Sequence, residues 1–387
     1  MRVVVERAAL APALAYVGTA RRGKTTLPVL EQVRLHVDVS GTGTRLDLAC
    51  TDMDVWCMQS VDAEEGAPGT CATVLVNYNQ LHDAVQRSPE GSQVEIHWEG
   101  GGPTADVRAG RSSFKLRTLT DGEFPIARAV EAEPWELTAK TLHDAIKLAQ
   151  GDMYKPVKNA MRPYMQAEFL NIHDGTLRVR ATDGYVFADV PLGGADGVSL
   201  PLDGSDRPGV MLPDAAIPAM LGVLDGWDGT VELRVTDSLI RMACGERALV
   251  SKLVDARFPH TDTMMRPAKD HGYVVGTKAL RDALERAGVV LGQFYPTVEL
   301  CPGVGGGLSI KAAGEGGDAF TDTIDGEVLG SPIVFPVRQA QLLGWLSRVG
   351  GETVTLHIPA ATDGGVPMKV IADNMPDVEK LITRMIG

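Results

Sequence analysis

The stretch Thr176–Ala188, TLRVRATDGYVFA, decides how the rest of the chain is interpreted. Apolar and polar residues alternate as far as Ala181, which is the period-2 pattern of a strand with one buried face. Thr182–Gly184 then predicts a turn, because Gly adopts positive φ easily and Asp can accept hydrogen bonds from nearby backbone. The apolar run Tyr185–Ala188 follows at once. The stretch therefore predicts two strands joined by a tight turn.

The same pattern occurs earlier in the chain. Arg45–Asp52 also alternates and also ends in Thr-Asp, and apolar residues resume within Met53–Trp56. Two such stretches in one chain suggest an internal duplication, which is the first feature to look for in a sequence of this length.

The helical segments extend the duplication to three units. Ala-rich or amphipathic patterns predict two helices per unit, at 6–20, 78–87, 138–149, 213–224, 277–286 and 338–348. Pro12 is expected only near the first turn of its helix, and Pro218 weakens the start of the fourth. Strands are predicted at 29–38, 45–60, 70–76, 94–98, 113–117, 165–172, 176–191, 231–235, 249–254, 297–301, 307–313, 332–336 and 354–358.

The order of these elements predicts the fold class. In each unit a strand precedes the second helix and another follows it, and the first two units close with Phe124-Pro125 and Phe258-Pro259. Two helices on one face of a mainly antiparallel sheet form an α+β layer. We expect three repeated domains, at 1–129, 130–268 and 269–387, each of an ordinary domain size.

Composition excludes several classes of protein. The chain has 387 residues, 44% of them hydrophobic, and a formal charge of -13, which argues against a surface that binds nucleic acid everywhere. It has no apolar run of membrane-spanning length, and its charged start, Met1–Arg7, is unlike a signal peptide. The five cysteines are scattered, so we expect free thiols in a cytoplasmic protein with no metal, disulfide framework or cofactor.

Four ordered motifs carry a resemblance to a known family. They are Leu27–Val33, Leu48–Asp52, Ala181–Gly184 and Ser251–Pro259, and together they resemble the β subunit of bacterial DNA polymerase III, the replication sliding clamp. The resemblance implies a head-to-tail homodimer of three-domain subunits that closes into a six-domain ring, with helices around the hole and sheets outside. It also implies a non-catalytic processivity factor that encircles duplex DNA without sequence specificity, tethers a DNA polymerase and needs an ATP-driven clamp loader.

Charge placement agrees with that resemblance. The predicted helical segments carry more basic than acidic residues in all but two cases, a neutral segment at 78–88 and an acidic one at 213–227, although the whole chain is acidic. Attraction to phosphates from such segments suits DNA that is held by enclosure. From the resemblance we expect DNA contacts in two loops, at Arg21, Arg22, Lys24, Tyr154, Lys155, Lys158 and Arg162.

The resemblance also implies a groove that binds short linear peptides from partner proteins. Its predicted walls are Met165, Thr182, Gly184, Tyr185, Val186, Phe187, Pro259, Thr263, Met264, Leu381, Ile382 and Met385. Two departures alter this groove: Tyr-Val-Phe follows Thr-Asp-Gly where the family usually has His-Arg-Leu, and the tail at 383–387 is Thr-Arg-Met-Ile-Gly where the family tail is usually rich in Met and Pro. We therefore expect changed specificity. A phage or plasmid replicon would be one reason for it.

A rival interpretation comes from Gly18–Thr25, which fits the phosphate-binding pattern G-x-x-x-x-G-K-[ST] of nucleotide hydrolases. That motif needs a buried strand before it and a helix that starts at Lys24. The Ala-rich helix before it and Pro28 after it argue against such a site. A scaffold protein that never binds DNA would share the three-unit fold. The spacing of His82, His143, His173 and His260 predicts neither a metal site nor a catalytic arrangement.

Overall fold

The computed structural model describes residues 1–21, 23, 25–40, 43–64, 72–153, 162–204, 207–261, 271–292, 296–359 and 366–385. The chain divides into two compact units. Unit 1 comprises Met1–His143, Gly197–Pro201 and Ala215–Leu253, and unit 2 comprises Asp144–Asp196, Leu202–Asp214 and Val254–Gly387.

One order of elements occurs three times along the chain: a strand, a helix, a group of strands, a second helix and three strands. The first copy contains β1 (Arg2–Glu6), α1 (Arg7–Gly18), β2 (Gln32–Ser40), β3 (Gly43–Thr51), β4 (Val55–Ala63), β5 (Ala72–Asn77), α2 (Tyr78–Gln86), β6 (Gln93–Trp98), β7 (Thr104–Ala109) and β8 (Ser112–Leu119). The second contains β9 (Trp135–Thr138), α3 (Ala139–Gln150), β10 (Ala167–His173), β11 (Thr176–Thr182), β12 (Val186–Gly194), β13 (Gly209–Pro213), α4 (Ile217–Leu224), β14 (Thr230–Val235), β15 (Leu239–Cys244) and β16 (Arg247–Lys252). The third contains β17 (Gly272–Gly276), α5 (Thr277–Ala287), β18 (Thr297–Pro302), β19 (Leu308–Ala313), β20 (Ala319–Ile324), β21 (Gly326–Leu329), β22 (Phe335–Arg338), α6 (Gln339–Leu346), β23 (Thr353–His357), β24 (Met368–Ala372) and β25 (Met375–Ile382).

This recurrence confirms the predicted α+β class with repeated units. All six predicted helices are present, but the fourth begins only at Ile217, after a short 3-10 turn at Asp214–Ala216. The expectation for Pro12 is wrong: it lies inside α1 rather than in the first turn. Its ring is exposed, so the helix accommodates it on the solvent side. No helix in the described ranges is long and apolar enough to span a membrane.

Every strand pairing within the sheets is antiparallel. Unit 1 holds a twelve-stranded sheet in the order β1-β6-β7-β8-β5-β2-β3-β4-β16-β15-β14-β9. Unit 2 holds a nine-stranded sheet in the order β13-β10-β11-β12-β25-β24-β23-β17-β21 and a four-stranded sheet in the order β20-β19-β18-β22.

Two strand pairs join successive copies of the repeat. We call β4–β16 the first junction, because β4 belongs to the first copy and β16 to the second. We call β12–β25 the second junction, which joins the second copy to the third in the same way. The registers correspond: Val55 faces Ser251 in the first junction, and Val186 faces Ile382 in the second.

The turns that lead into β4 and β12 have the same hydrogen bonds. Met53 N donates to Thr51 Oγ1 at 2.9 Å, and Gly184 N donates to Thr182 Oγ1 at 3.0 Å. Asp52 Oδ1 accepts from the backbone N–H groups of Asp54 and Val55. Asp183 Oδ1 accepts in the same way from those of Tyr185 and Val186, and all four distances are 2.8–3.0 Å. The third turn residue has φ 76° at Met53 and 90° at Gly184. Thr-Asp therefore fixes the same turn twice, which explains the repeated pattern in the sequence.

Candidate functional site: the second junction and the loop after the first helix

Residues of the predicted peptide groove meet at the second junction, within unit 2. Phe187 faces Leu381 across the β12–β25 pair, and Thr383 N donates to Tyr185 O at 2.9 Å. Met385 N donates to Pro336 O at 3.0 Å, which fixes the tail against the start of β22. The fold thus brings the Thr182–Phe187 segment and the tail together from distant parts of the sequence.

Several of these residues lie in the interior rather than on an accessible wall. Thr182, Val186, Phe187, Leu381 and Ile382 are buried. Phe187 and Leu381 belong to a core cluster in which the rings of Phe169 and Phe258 stack with centroids 4.9 Å apart. The accessible part of the predicted groove is Gly184 and Tyr185, with Met165, Pro259 and Met385 half-buried. Thr263 and Met264 lie outside the described residues.

Two features favour glycine at position 184. Its φ of 90° is in the region that favours glycine. A Cβ atom at this position would also lie 2.8 Å from Met165 Cε. The Met165 side chain therefore lies directly over the turn, and the absence of a side chain at 184 leaves room for it.

Polar groups surround Tyr185 on the side of α6. The Arg338 guanidinium carbon lies 5.0 Å from the centroid of the Tyr185 ring, a cation–π contact, and the tyrosine is 46% exposed. Gln341 Nε2 donates to Asp183 Oδ2 at 3.4 Å. The sequence did not point to Arg338 or Gln341, since only the tertiary fold places them beside the turn.

The predicted DNA-contacting residues are only partly within the described ranges. Arg22, Lys24, Tyr154, Lys155 and Lys158 lie outside them. Arg162 is exposed just before a 3-10 turn.

Arg21 is held over the face of Tyr78, with its guanidinium carbon 4.3 Å from the ring centroid. It also donates to Asn79 Oδ1 at 3.0 Å. Burial raises the pKa of Tyr78 to about 12, so the ring partner of Arg21 stays uncharged at neutral pH. Beside Arg21 is a cavity of about 370 Å³ lined also by Thr25, Thr26 and Thr51. A fixed cation beside hydroxyl donors suits a phosphate oxygen.

The nucleotide-binding interpretation of Gly18–Thr25 is not supported. The motif follows helix α1, which ends at Gly18, rather than a buried strand. The next described helical element is a 3-10 turn at Pro28–Glu31, and β2 follows it directly. A phosphate-binding loop needs a long helix in that place.

A buried ion cluster follows helix α3 in unit 2. Asp152 Oδ1 accepts from Arg348 at 2.7 Å, and Lys380 Nζ lies 2.6 Å from Asp152 Oδ2. Burial lowers the pKa of Lys380 to about 8, although the nearby Asp152 opposes that shift. Glu168, nearby in β10, is fully buried and has no hydrogen-bond partner among the residues that the structure describes, and burial raises the pKa of its carboxyl well above the usual range. Sequence patterns did not reveal this cluster, because its members are far apart in the chain.

A second charged row crosses the second junction. Arg180 and Asp189 face each other across β11 and β12 in a buried ion pair of 3.0 Å, and Asp189 faces Glu379 on β25. Glu379 in turn pairs with Lys369 at 2.7 Å. The charges of Arg180 and Asp189 compensate each other, as do those of Lys369 and Glu379, so we interpret this row as structural.

The corresponding row of the first junction is apolar. Ala49 faces Met58, and Met58 faces Ala248. These residues line, together with Trp56 and Phe124, a cavity of about 390 Å³.

Metal and thiol chemistry have little support here. Within the described ranges no group of three or more His, Cys, Asp or Glu side chains could hold a metal ion. Four cysteines are buried free thiols, at Cys50, Cys57, Cys244 and Cys301. Burial raises the pKa of the Cys57 thiol to about 12, which suppresses the reactive thiolate.

Comparisons with known proteins agree with this architecture. The family model of the DNA polymerase III beta subunit, N-terminal domain, matches residues 1–128. The beta sliding clamp of Pseudomonas putida is 28% identical over 357 residues, which are 92% of this chain and 92% of that relative. The beta sliding clamp of Escherichia coli K12 is 28% identical over 305 residues, covering 78% of this chain and 77% of that relative. The crystal structure of the DNA polymerase III subunit beta from Pseudomonas aeruginosa has a TM-score of 0.87 and 26% identity, and 100% of both chains is covered.

The similarity to solved structures over the whole chain defines the fold class: the fold is that of a sliding clamp. The resemblance predicted from the sequence is confirmed, because the chain is similar along its whole length to the β subunit of bacterial DNA polymerase III.

Proposed function

We propose that this chain is a replication sliding clamp, a ring-shaped processivity factor that encircles duplex DNA and tethers a DNA polymerase. It acts without catalytic residues of its own, in the cytoplasm, and a separate clamp loader places it on DNA. Three domains, at 1–129, 130–268 and 269–387, build each subunit. The observation that carries the proposal is a pair of strand edges, on β8 and on β20, that the described part of the chain leaves largely without a partner strand.

Each junction pairs a strand that follows a Thr-Asp turn with the last strand of the next copy. β4 and β12 follow a Thr-Asp turn, and each pairs with the last strand of the next copy, β16 or β25. In the described part of the chain, β8, the last strand of the first copy, pairs with β7 and, only at Thr118 and Leu119, with β5. The third copy's counterpart of β4 and β12 is β20, which in the same part pairs only with β19, at the edge of the four-stranded sheet. A second copy of the chain supplies both missing partners, because β8 of one subunit can pair with β20 of the other.

Charge supports this third junction. Arg111, Lys115 and Arg117 are exposed at β8, whereas Asp318 and Asp325 are exposed at the two ends of β20. Phe114 and Phe320 are half-buried on these two strands and supply apolar surface. Such a contact is head-to-tail, and a head-to-tail contact whose rotation closes gives a ring. The ring proposed here contains two copies.

A charge-swap experiment tests the junction. One variant carries Lys115→Glu and Arg117→Glu, and the other carries Asp318→Lys and Asp325→Lys. When either variant is present alone, like charges face each other at both β8–β20 contacts of the ring. We therefore expect analytical ultracentrifugation to show at least about a tenfold weaker assembly. In an equimolar mixture every contact has opposite charges again, and we expect dimers to return. Variants that assemble like the original chain, or a mixture that stays monomeric, would refute the third junction.

DNA would be held by enclosure and by weak phosphate contacts from Arg21, Arg162 and the neighbouring basic residues of both loops. The test is retention on circular DNA after loading by a clamp loader, followed by linearisation. We expect the protein to stay on closed circles and to slide off linear DNA, with weak dependence on base sequence. Equal retention on both forms would contradict encirclement and favour a scaffold role.

Partner proteins, including the polymerase and the clamp loader, would insert a short peptide at the second junction. Met385 is half-buried on the tail that packs against β22, so Met385→Asp places a charge in the groove. We expect this variant to lose peptide binding in a fluorescence titration while its assembly is unchanged. Unchanged peptide affinity would refute this location of the groove.

A further inference from the structure

Two arginines flank the proposed peptide groove in unit 2. Arg338 lies over the exposed ring of Tyr185. Arg384 lies in the tail between Thr383 and Met385, and its guanidinium donates to Val334 O at 3.3 Å. Val334 is itself 41% exposed, so apolar surface and guanidinium groups alternate along this edge of the groove.

Neither arginine forms an ion pair with a carboxylate among the residues that the structure describes. The nearest candidate on the turn, Asp183, is already occupied: its Oδ1 accepts from two backbone N–H groups and its Oδ2 accepts from Gln341. This differs from the interior of the same unit, where Arg180 and Arg348 have carboxylate partners within 3.0 Å. The two guanidiniums at the groove therefore keep donors available for a ligand.

Buried polar atoms beside the turn also lack a partner. Arg338 Nε, Gln341 Oε1 and Thr383 Oγ1 are inaccessible to solvent, and none has a hydrogen bond within the described part of the chain. Unsatisfied buried donors and acceptors are costly, so a cluster of them at one place indicates a ligand or an ordered water. All three belong to residues that border Tyr185 or its turn.

We propose that the peptide bound at the second junction carries a carboxylate beside its apolar anchor, and that Arg338 and Arg384 select it. This proposal rests on the proposed peptide groove. The apolar anchor contacts Met165, Tyr185 and Met385, and the adjacent Asp or Glu accepts hydrogen bonds from the guanidinium fork of Arg338. Stacking on Tyr185 holds that fork in place, which lowers the entropy lost when a planar carboxylate binds.

A positional-scanning peptide array tests this selection with the full-length protein. Capped octapeptides share a Leu-Phe anchor, and every flanking position is varied through Asp, Asn, Glu, Gln, Lys and Ala. We expect Asp or Glu to bind about three- to tenfold more strongly than the matching amide at one flanking position, the range of an exposed charge-assisted contact. We expect 0.5 M salt to reduce this preference, because such a contact is screened.

Three variants assign the effect to residues. Arg338→Gln and Arg384→Gln should each reduce the ratio of acid to amide binding, while binding that depends on Leu-Phe remains. Lys311→Gln, an exposed cation on β19 of the same unit, is the matched control and should leave the ratio unchanged.

The outcomes separate this inference from the proposed groove. Anchor-dependent binding with equal signals for acid and amide would overturn the selection and leave the groove intact. An acid preference that survives in both arginine variants would also overturn it. No binding of any peptide by the original protein would overturn both the groove and the selection.

Discussion

The two junctions share the same turn and strand pairing, and they differ in the side chains on one face of the sheet. Both begin with a Thr-Asp turn in which the same three backbone N–H groups are satisfied by side chains. On one sheet face the first junction has Ala49, Met58 and Ala248 beside a cavity, while the second has the buried pair Arg180 and Asp189 and the half-buried Glu379. The turn and the strand pairing therefore define the joint between repeats, and the side chains on its face are free to diverge.

A second contrast lies on the neighbouring strands. Arg180 in the second copy is equivalent to Ala49 in the first. Phe169, which faces Arg180, is therefore equivalent to Arg34, which faces Ala49. It follows that the preceding residue, Glu168, occupies the position that Val33 occupies in the first copy. Both are fully buried, but only Glu168 brings an ionisable group into the interior. Unit 2 thus carries a cost that unit 1 avoids at the same position, and the predictions below address this difference.

The largest effect is expected from Asp189→Ala. This change leaves Arg180 buried without its cross-strand carboxylate, and losing one partner of a buried pair costs about 3–5 kcal/mol in the free energy of unfolding. Met58→Leu, at the equivalent place in the first junction, conserves volume and should cost less than about 1.5 kcal/mol. Chemical denaturation monitored by circular dichroism measures the free energy of unfolding of both variants. A cost for Asp189→Ala no greater than that of Met58→Leu would show that the charged row does not stabilise the second junction.

An intermediate effect is expected from Glu168→Val, which installs the residue of the first copy. Burial raises the pKa of Glu168, so the folded state holds its proton more tightly than the unfolded state. The protonated carboxyl therefore contributes fully to the free energy of unfolding at a pH below the ordinary carboxyl pKa. That contribution is lost as the pH rises through the pKa that Glu168 has in the folded state. We expect the variant to gain about 1–3 kcal/mol relative to the original protein at pH 8.

The control for this prediction is the pH dependence itself. At pH 4.5 the gain should be clearly smaller, because in the original protein Glu168 is neutral in the folded state and about half neutral in the unfolded state. Denaturation curves at the two pH values decide the matter, and a gain that does not depend on pH would mean that Glu168 is not the titrating group.

The smallest effect concerns the third turn residue. Gly184→Ala places a Cβ at φ 90° and within 2.8 Å of Met165 Cε, the end of a flexible side chain that can move, and we expect a loss of about 1–2 kcal/mol. Met53→Gly in the matching turn relieves a positive φ but increases the entropy of the unfolded chain, so its effect should stay within about 1 kcal/mol. Thermal unfolding of both variants compares the turns. Equal effects would contradict the claim that glycine is favoured more strongly in the second turn than in the first.

The sequence predicted much of the fold, because the repeated pattern around Thr182–Gly184 and the helical periodicity are local properties. It missed short strands such as β1, β7, β15 and β20. Strand β1 lies in a charged segment, yet Val3 and Val5 are buried because β6 pairs with it. Partners of that kind are distant in the chain, so local patterns cannot reveal them.

The site was predicted less completely than the fold. The resemblance supplied the turn and the tail, and the structure brings them together through the β12–β25 register. It could not show that Phe187 and Leu381 are core residues while Tyr185 is accessible, since that depends on packing with Phe258. Arg338 was missed for the same reason, because only the fold brings it to Tyr185.

The central claim is that two copies close a ring through the edges of β8 and β20. Class averages of the full-length protein from negative-stain electron micrographs test it most directly. The account predicts closed rings of six lobes around an open hole, and the charge-reversed β8 variant should lose them. Compact particles without a hole, seen equally for the original chain and the variant, would contradict the ring and with it the encirclement of DNA.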